Sequence, residues 1–174
     1  MVRNIHQREY PVPTDQLGAL LARAAEPDSP VWPPGWPALV LDRPLGVGAD
    51  GGHGVIRYRC TEWVPGRRVE FTVAPGSFLV GTHSLDVLDG PWPDSSILRH
   101  EIDCRLRGIG YLLWPVAIRW IHDAMIEALL DRTAVSLGHP PVTPARPSPW
   151  VNFLRWIFSR RPAARTAAHA DSST

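Results

Sequence analysis

An α+β fold, with an antiparallel sheet laid against one long C-terminal helix, is what three features of this sequence predict. Four runs between residues 54 and 106 alternate apolar and polar side chains at period two, and only a few residues separate each from the next. A stretch from about residue 115 to about 137 is apolar at the helical period instead. A strand-like run and a short helical pattern precede both. With 174 residues, 44% of them hydrophobic and 20% charged, the chain has the length and composition of one soluble globular domain.

The elements follow in order. Residues 3 to 10 read as a first strand, closed by Pro11 and Pro13. Thr14 is placed to cap a helix in which Leu17, Leu20, Leu21 and Ala24 recur at i, i+3, i+4 and i+7, and Pro27 and Pro30 end it. One or two short helices are expected before the sheet resumes. "VWPPGWPALVLDRPLGVGADGGHG" is rich in turn-forming Pro and Gly around a short apolar run at 38 to 41. "VIRYRCTEW", "RVEFTV", "FLVGTHSLDVL" and "SILRHEIDCRL" follow as strands, joined by "VPGR", "APGS" and "DGPWPDS". Links this short imply antiparallel hairpins, giving about six to seven strands in all. Pro115 suits a first helical position and Gly138 a helix stop.

Strand parity selects the inward side chains. In the last strand Leu98, His100, Ile102, Cys104 and Leu106 share the apolar face; in the strand before it, Leu79, Gly81, His83, Leu85 and Val87 do. Ile56, Tyr58 and Cys60 form the inward set of the first run, with His53 at its rim. If the "DGPWPDS" hairpin pairs Val87 with Ser96, His83 faces His100 directly. On the long helix Ile121, Met125, Ile126, Leu129 and Leu130 make one apolar arc with His122 inside it, while Asp123, Glu127 and Asp131 are expected to face water. Arg119 can pair with Asp123 one turn on.

Three histidines thus occupy apolar faces on two strands and a helix. An unpaired buried polar group costs about 1–3 kcal/mol, so they need partners. Either each is a satisfied core residue, bonded to a backbone carbonyl or to Tyr58, or the three meet around a cavity. A cavity trio has three chemical uses: acid/base catalysis near neutral pH, a three-histidine metal site, or hydrogen bonding to the polar end of an apolar ligand. The chain spacings match no metal signature, and no nucleophile motif accompanies them. Ligand binding requires least of the sequence. His83, His100, His122 and then Tyr58 are the candidate ligand-binding residues, with no cofactor expected.

The order of elements and the phrases "HGVIRYRCTEWVPGRRVEF", "GTHSLDV", "LRHEID" and "WIHDAMIEALLD" resemble the helix-grip superfamily, the START-like and polyketide-cyclase-like group called SRPBCC, in an actinobacterial-type branch. The resemblance spans residues 3 to 138. It implies a curled sheet wrapped around the C-terminal helix, with a cavity between them for a hydrophobic small molecule or lipid. It also brings a rival expectation, a cyclase- or dehydratase-like enzyme working with the cavity histidines.

Beyond residue 138 the composition changes. Residues 139 to 149 are a Pro-rich linker, residues 150 to 161 an amphipathic basic-aromatic segment, and residues 162 to 174 an Ala/Ser tail expected to be unstructured. Trp150, Phe153, Leu154, Ile157 and Phe158 form an apolar arc suited to a membrane surface, to a partner subunit, or to docking on its own domain. Five arginines against Asp171 make residues 139 to 174 basic, although the whole chain carries only +1. That balance gives no electrostatic footprint for nucleic acid. All 18 basic residues are arginine, and the two cysteines are too few for a disulfide framework. A reduced cytoplasmic protein is expected, membrane-peripheral if the C-terminal segment binds lipid. Trp32, Trp36 and Trp92 lie in Pro-rich loops, either pinning those loops or gating a cavity mouth.

Overall fold

The alternating runs assemble into one antiparallel sheet in the computed structural model, which describes residues 1–54 and 56–159. Its strands are β1 (Val2–Tyr10), β2 (Val40–Leu41), β3 (Asp50–His53), β4 (Ile56–Val64), β5 (Arg68–Val73), β6 (Leu79–Asp89) and β7 (Ser96–Leu106). Their order across the sheet is β1-β7-β6-β5-β4-β3-β2, so the first strand of the chain pairs with the last. Helix α1 (Thr14–Leu21) follows β1. After β7 come α2 (Gly110–Leu113), a π-helical turn (Trp114–Ile118), α3 (Arg119–Ser136) and α4 (Pro149–Ser159). The expected tail at 162 to 174, with Arg160 and Arg161 of the aromatic segment, lies outside the described residues.

Burial follows the parity read from the sequence. Leu98, His100, Ile102 and Cys104 of β7 are buried, and Arg99, Asp103 and Arg105 are not. A bulge between Cys60 and Glu62 shifts the parity of β4, so Trp63 turns back toward the core. Cys60 and Cys104 are free thiols. The largest apolar cluster joins Leu17 and Leu21 of α1 to Val69, Leu98, Ile126 and Leu129. A smaller one, with Val73, Leu79, Ile102 and Trp114, sits at the α2 end of the sheet.

Four local expectations are corrected. Thr14 begins α1 rather than capping it; the N-cap is Pro13, whose carbonyl accepts from Gln16 N at 3.1 Å. Pro115 is not the first helical residue, because the helical path starts at Gly110. Lacking an N–H, Pro115 cannot close an i→i−4 bond, and the π turn gives its ring room. The β6–β7 hairpin pairs Asp89, not Val87, with Ser96. Gly90 N bonds Ser95 O at 2.9 Å and Ser95 Oγ accepts from Trp92 N at 3.1 Å, closing a tighter loop than the expected register allowed. Finally, Asp123, Glu127 and Asp131 do not face open water. They face β1, whose inward side is Asn4, His6, Arg8 and Tyr10.

Gly138 ends the helical run as expected. It takes a left-handed φ of 81°, its N–H bonds Val135 O, and His139 N bonds Ala134 O at 2.9 Å, a Schellman ending.

Candidate functional site

Between the two apolar clusters the sheet and α3 enclose a cavity of about 750 Å³. Apolar residues from both clusters line it, among them Val73, Leu79, Ile102, Met125 and Leu129. All four candidate residues, His83, His100, His122 and Tyr58, line it as well, and so does His53. With Asp89 opposite Ser96, His83 pairs with Ile102 and His100 with Leu85, so the two histidines are diagonal neighbours. Their ring centroids are 5.8 Å apart, His100 and His122 are 4.9 Å apart, and Tyr58 meets His83 edge-on at 4.6 Å.

The rings form a row rather than a satisfied core network. His83 Nε2, His100 Nδ1 and His122 Nε2 are shut off from solvent with no hydrogen-bond partner among the described residues. Tyr58 does not supply one; its contacts with His53, at 5.7 Å, and with His83 are through ring faces and edges. Burial keeps these imidazoles neutral. It pushes His83 down to about 3 and His53 to about 4, with the neighbouring histidines adding to both shifts, and it carries His100 well below the ordinary histidine range. Burial also lowers His122, although the bond to Asp123 offsets part of this. The Tyr58 phenol is pushed upward by the same desolvation.

Behind His122 lies a polar seam. His122 Nδ1 is 3.4 Å from Asp123 Oδ1, which also accepts from His6 Nε2 at 3.1 Å and from Asn4 Nδ2 at 3.0 Å. His6 Nδ1 bonds Glu127 Oε1 at 2.8 Å, and Arg8 spans Glu127 and Asp131. The bond to Asp123 raises His6 above the usual range despite burial. Burial works to raise Asp123, but hydrogen bonds from His122 and His6 outweigh it and hold the carboxylate low. Arg119 reaches Asp123 at 3.5 Å, the expected one-turn pair.

The mouth is framed by the loop carrying Trp32 and Trp36 and by α4. Arg155 lies over the Trp36 ring at 4.2 Å and donates to Gly35 O at 2.6 Å. Trp150 Nε1 donates to Val116 O at 3.0 Å. Val151 and Leu154 are buried against the domain, whereas Trp150, Phe153 and Trp156 are exposed and stacked in a ladder. Phe158 lines the cavity, and Ile157 is half-buried. Trp92, in the β6–β7 loop, is 71% exposed and does not line the cavity.

Sequence reasoning missed His6 and Asp123, and it left His53 at the rim. Parity carried a signal for His6: it shares a face with Tyr10, which is buried. A polar inward face on one strand and an acidic stripe on a helix are complementary, which is the clue that pairs β1 with α3.

A seven-stranded unclosed antiparallel sheet gripping a long C-terminal helix over an internal cavity is the helix-grip architecture. No protein-family model matches the chain, and no curated protein does. Solved structures match it in fold. A protein from Thermobifida fusca aligns at 17% identity with a TM-score of 0.58, over 81% of this chain and 98% of that one. CalU16 from Micromonospora echinospora aligns at 16% identity and TM-score 0.54, over 90% and 83%. Norcoclaurine synthase from Thalictrum flavum, solved with dopamine and hydroxybenzaldehyde, aligns at 13% identity and TM-score 0.57, over 80% and 90%. At such identities the likeness establishes the fold alone, the helix-grip fold. No helix among the described residues is long and apolar enough to cross a membrane.

Proposed function

We propose that this protein binds an apolar small molecule in the cavity beneath α3, with a neutral polar group of that molecule at the histidine row. One observation carries the reading: three buried histidines, each with a ring nitrogen that has no hydrogen-bond partner among the described residues, line a mostly apolar cavity of about 750 Å³. An interior that size suits a drug-sized ligand, and a few polar groups in an apolar wall fix its orientation. Because the rings are kept neutral, each offers one donor or one acceptor, which matches a hydroxyl, phenol or carbonyl better than a carboxylate. A lipid with a neutral head falls within this class.

Native mass spectrometry of the full chain purified from a bacterial host is the test. A co-purifying apolar compound is expected, retained by the wild type and reduced at least severalfold in His122→Leu. An empty wild-type protein that also fails to take up apolar hydroxylated compounds added to it would end the reading.

A second reading concerns α4. The exposed ladder of Trp150, Phe153 and Trp156 favours an outward contact with a membrane surface or a partner copy, alongside the inward docking of Val151 and Leu154. In this reading Trp150 and Phe153 keep the contact role expected of them, Trp156 joins them while also edging the cavity, Phe158 lines the cavity, and Leu154 is buried against the domain.

A further inference from the structure

We propose that this protein docks on an anionic lipid bilayer through one apolar face shared by α2, the π-helical turn, the start of α3 and α4, with the mouth of the cavity at its edge. This deepens the outward-contact reading of α4 and rests on it: it names the partner and adds the part of the surface that the core domain supplies. Leu112, Val116 and Trp120 follow one another about a helical turn apart, at 61%, 48% and 47% exposure. Trp150 of α4 donates through Nε1 to Val116 O at 3.0 Å, which seats its ring beside that row. From there the aromatic stack runs on, with ring centroids 5.6 Å apart from Trp150 to Phe153 and 6.1 Å from Phe153 to Trp156. Trp156 edges the cavity, and Leu113, Trp114 and Ile118 line it from the other side of the same helical stretch. The row is therefore continuous from the domain to α4, and it ends at the mouth. An exposed apolar row of this kind on a globular domain marks a contact with something apolar.

Charge decides what covers it. The two stretches that build the face, residues 107–121 and 139–165, hold seven arginines and neither aspartate nor glutamate. The whole chain carries only +1, so the rest of it is acidic. Arg119 lies 5.9 Å from the Trp120 ring centroid, and Arg155 holds Trp36 at the mouth. Arg160, Arg161 and Arg165 follow α4 in the sequence. Asp123, Glu127 and Asp131, further along α3, are taken up by Asn4, His6 and Arg8. A second copy of the chain is a poor cover, because a two-fold interface presents the same patch from both sides and would set arginine against arginine. An anionic bilayer is the complement: its head groups meet the arginines, and its acyl chains take the rings. With 11 residues α4 is too short to span a bilayer, and a helix bearing Trp and Phe beside Arg lies flat in the head-group layer. Docked in this way, the mouth opens where apolar molecules are dissolved, and a ligand reaches the cavity without crossing water.

Co-flotation of the full chain with lipid vesicles is the test. Binding to phosphatidylcholine vesicles with about 30% phosphatidylserine is expected to be at least about thirtyfold tighter than to phosphatidylcholine alone. Raising sodium chloride to about 0.5 M should weaken it about tenfold. Leu112→Glu on α2 and Phe153→Glu on α4 should each cost about tenfold in vesicle affinity. Both residues are exposed and neither lines the cavity, so circular dichroism and uptake of apolar compounds should stay as in the wild type. Equal binding to the two kinds of vesicle overturns the inference, and so does a loss confined to Phe153→Glu, which would leave α2 outside the face. No vesicle binding by a chain that sediments as a dimer, dissociated by Phe153→Glu, also overturns it and gives the outward contact of α4 to a partner copy. No vesicle binding by a monomer sinks the inference and the outward-contact reading together.

Discussion

Acidification from neutral to about pH 5 is expected to remove several kcal/mol of stability, out of a total on the order of 5–15 kcal/mol for a domain. The cause is the neutral state of His53, His83, His100 and His122 in the fold. All four have folded pKa values below 6.5, and burial takes two of them, His53 and His83, down to about 4 and about 3. Between 6.5 and those values the unfolded chain binds protons that the folded chain refuses, so stability falls as pH falls. A ring of this kind costs about 2 kcal/mol at about pH 5.

His6 has the opposite sign but does not rescue the acid side. Its folded value is raised, so its contribution is complete below 6.5 and is lost only as pH rises through the raised value. Asp123, held low, contributes above 3.8 and is lost only beneath it. The loss between 6.5 and about 4 therefore belongs to the interior histidines. Urea unfolding at a series of pH values checks this, with His100→Leu expected to give a shallower acid slope. A wild-type profile that stays flat down to about pH 5 would mean that the rings carry protons or water within the fold.

Leu130→Ala is expected to cost about 3 kcal/mol, whereas Met125→Ala costs about 1 kcal/mol. Both lie on α3 and both are buried, at 0% and 5% exposure. They differ in what they touch. Leu130 sits in the closed core between helix and sheet, where Tyr10 donates to its carbonyl at 2.9 Å. Met125 lines the cavity and lacks packing atoms on that side. Thermal melting should separate them, with Leu130→Ala lower by about 10 °C and Met125→Ala by about 3 °C. Equal losses would say that the wall at Met125 is packed, and the cavity smaller than its outline.

Much of the site was legible because strand parity and helical period are local. "SILRHEIDCRL" can bury its apolar residues in only one way, and that way carries His100 inward. The same holds for His83 in "FLVGTHSLDVL" and for His122 on α3. The acidic stripe was misjudged for a reason equally physical: a charged helix face normally meets water, and its partner here is β1, more than a hundred residues earlier in the chain.

The sequence by itself determined the long strands and the long helix, the apolar face each of them buries, and the identity of the three histidines on those faces. Tertiary structure alone decided who meets whom. The six-residue β6–β7 turn set His83 diagonal to His100 rather than opposite it, because a register depends on how the loop closes its hydrogen bonds. Pairing of β1 with β7 brought His6 to Asp123, the carboxylate next to His122 in the chain. Docking of α4 through Arg155 on Trp36 shaped the mouth. The last two are contacts across long chain separation, and periodicity carries no information about them or about the register a turn selects.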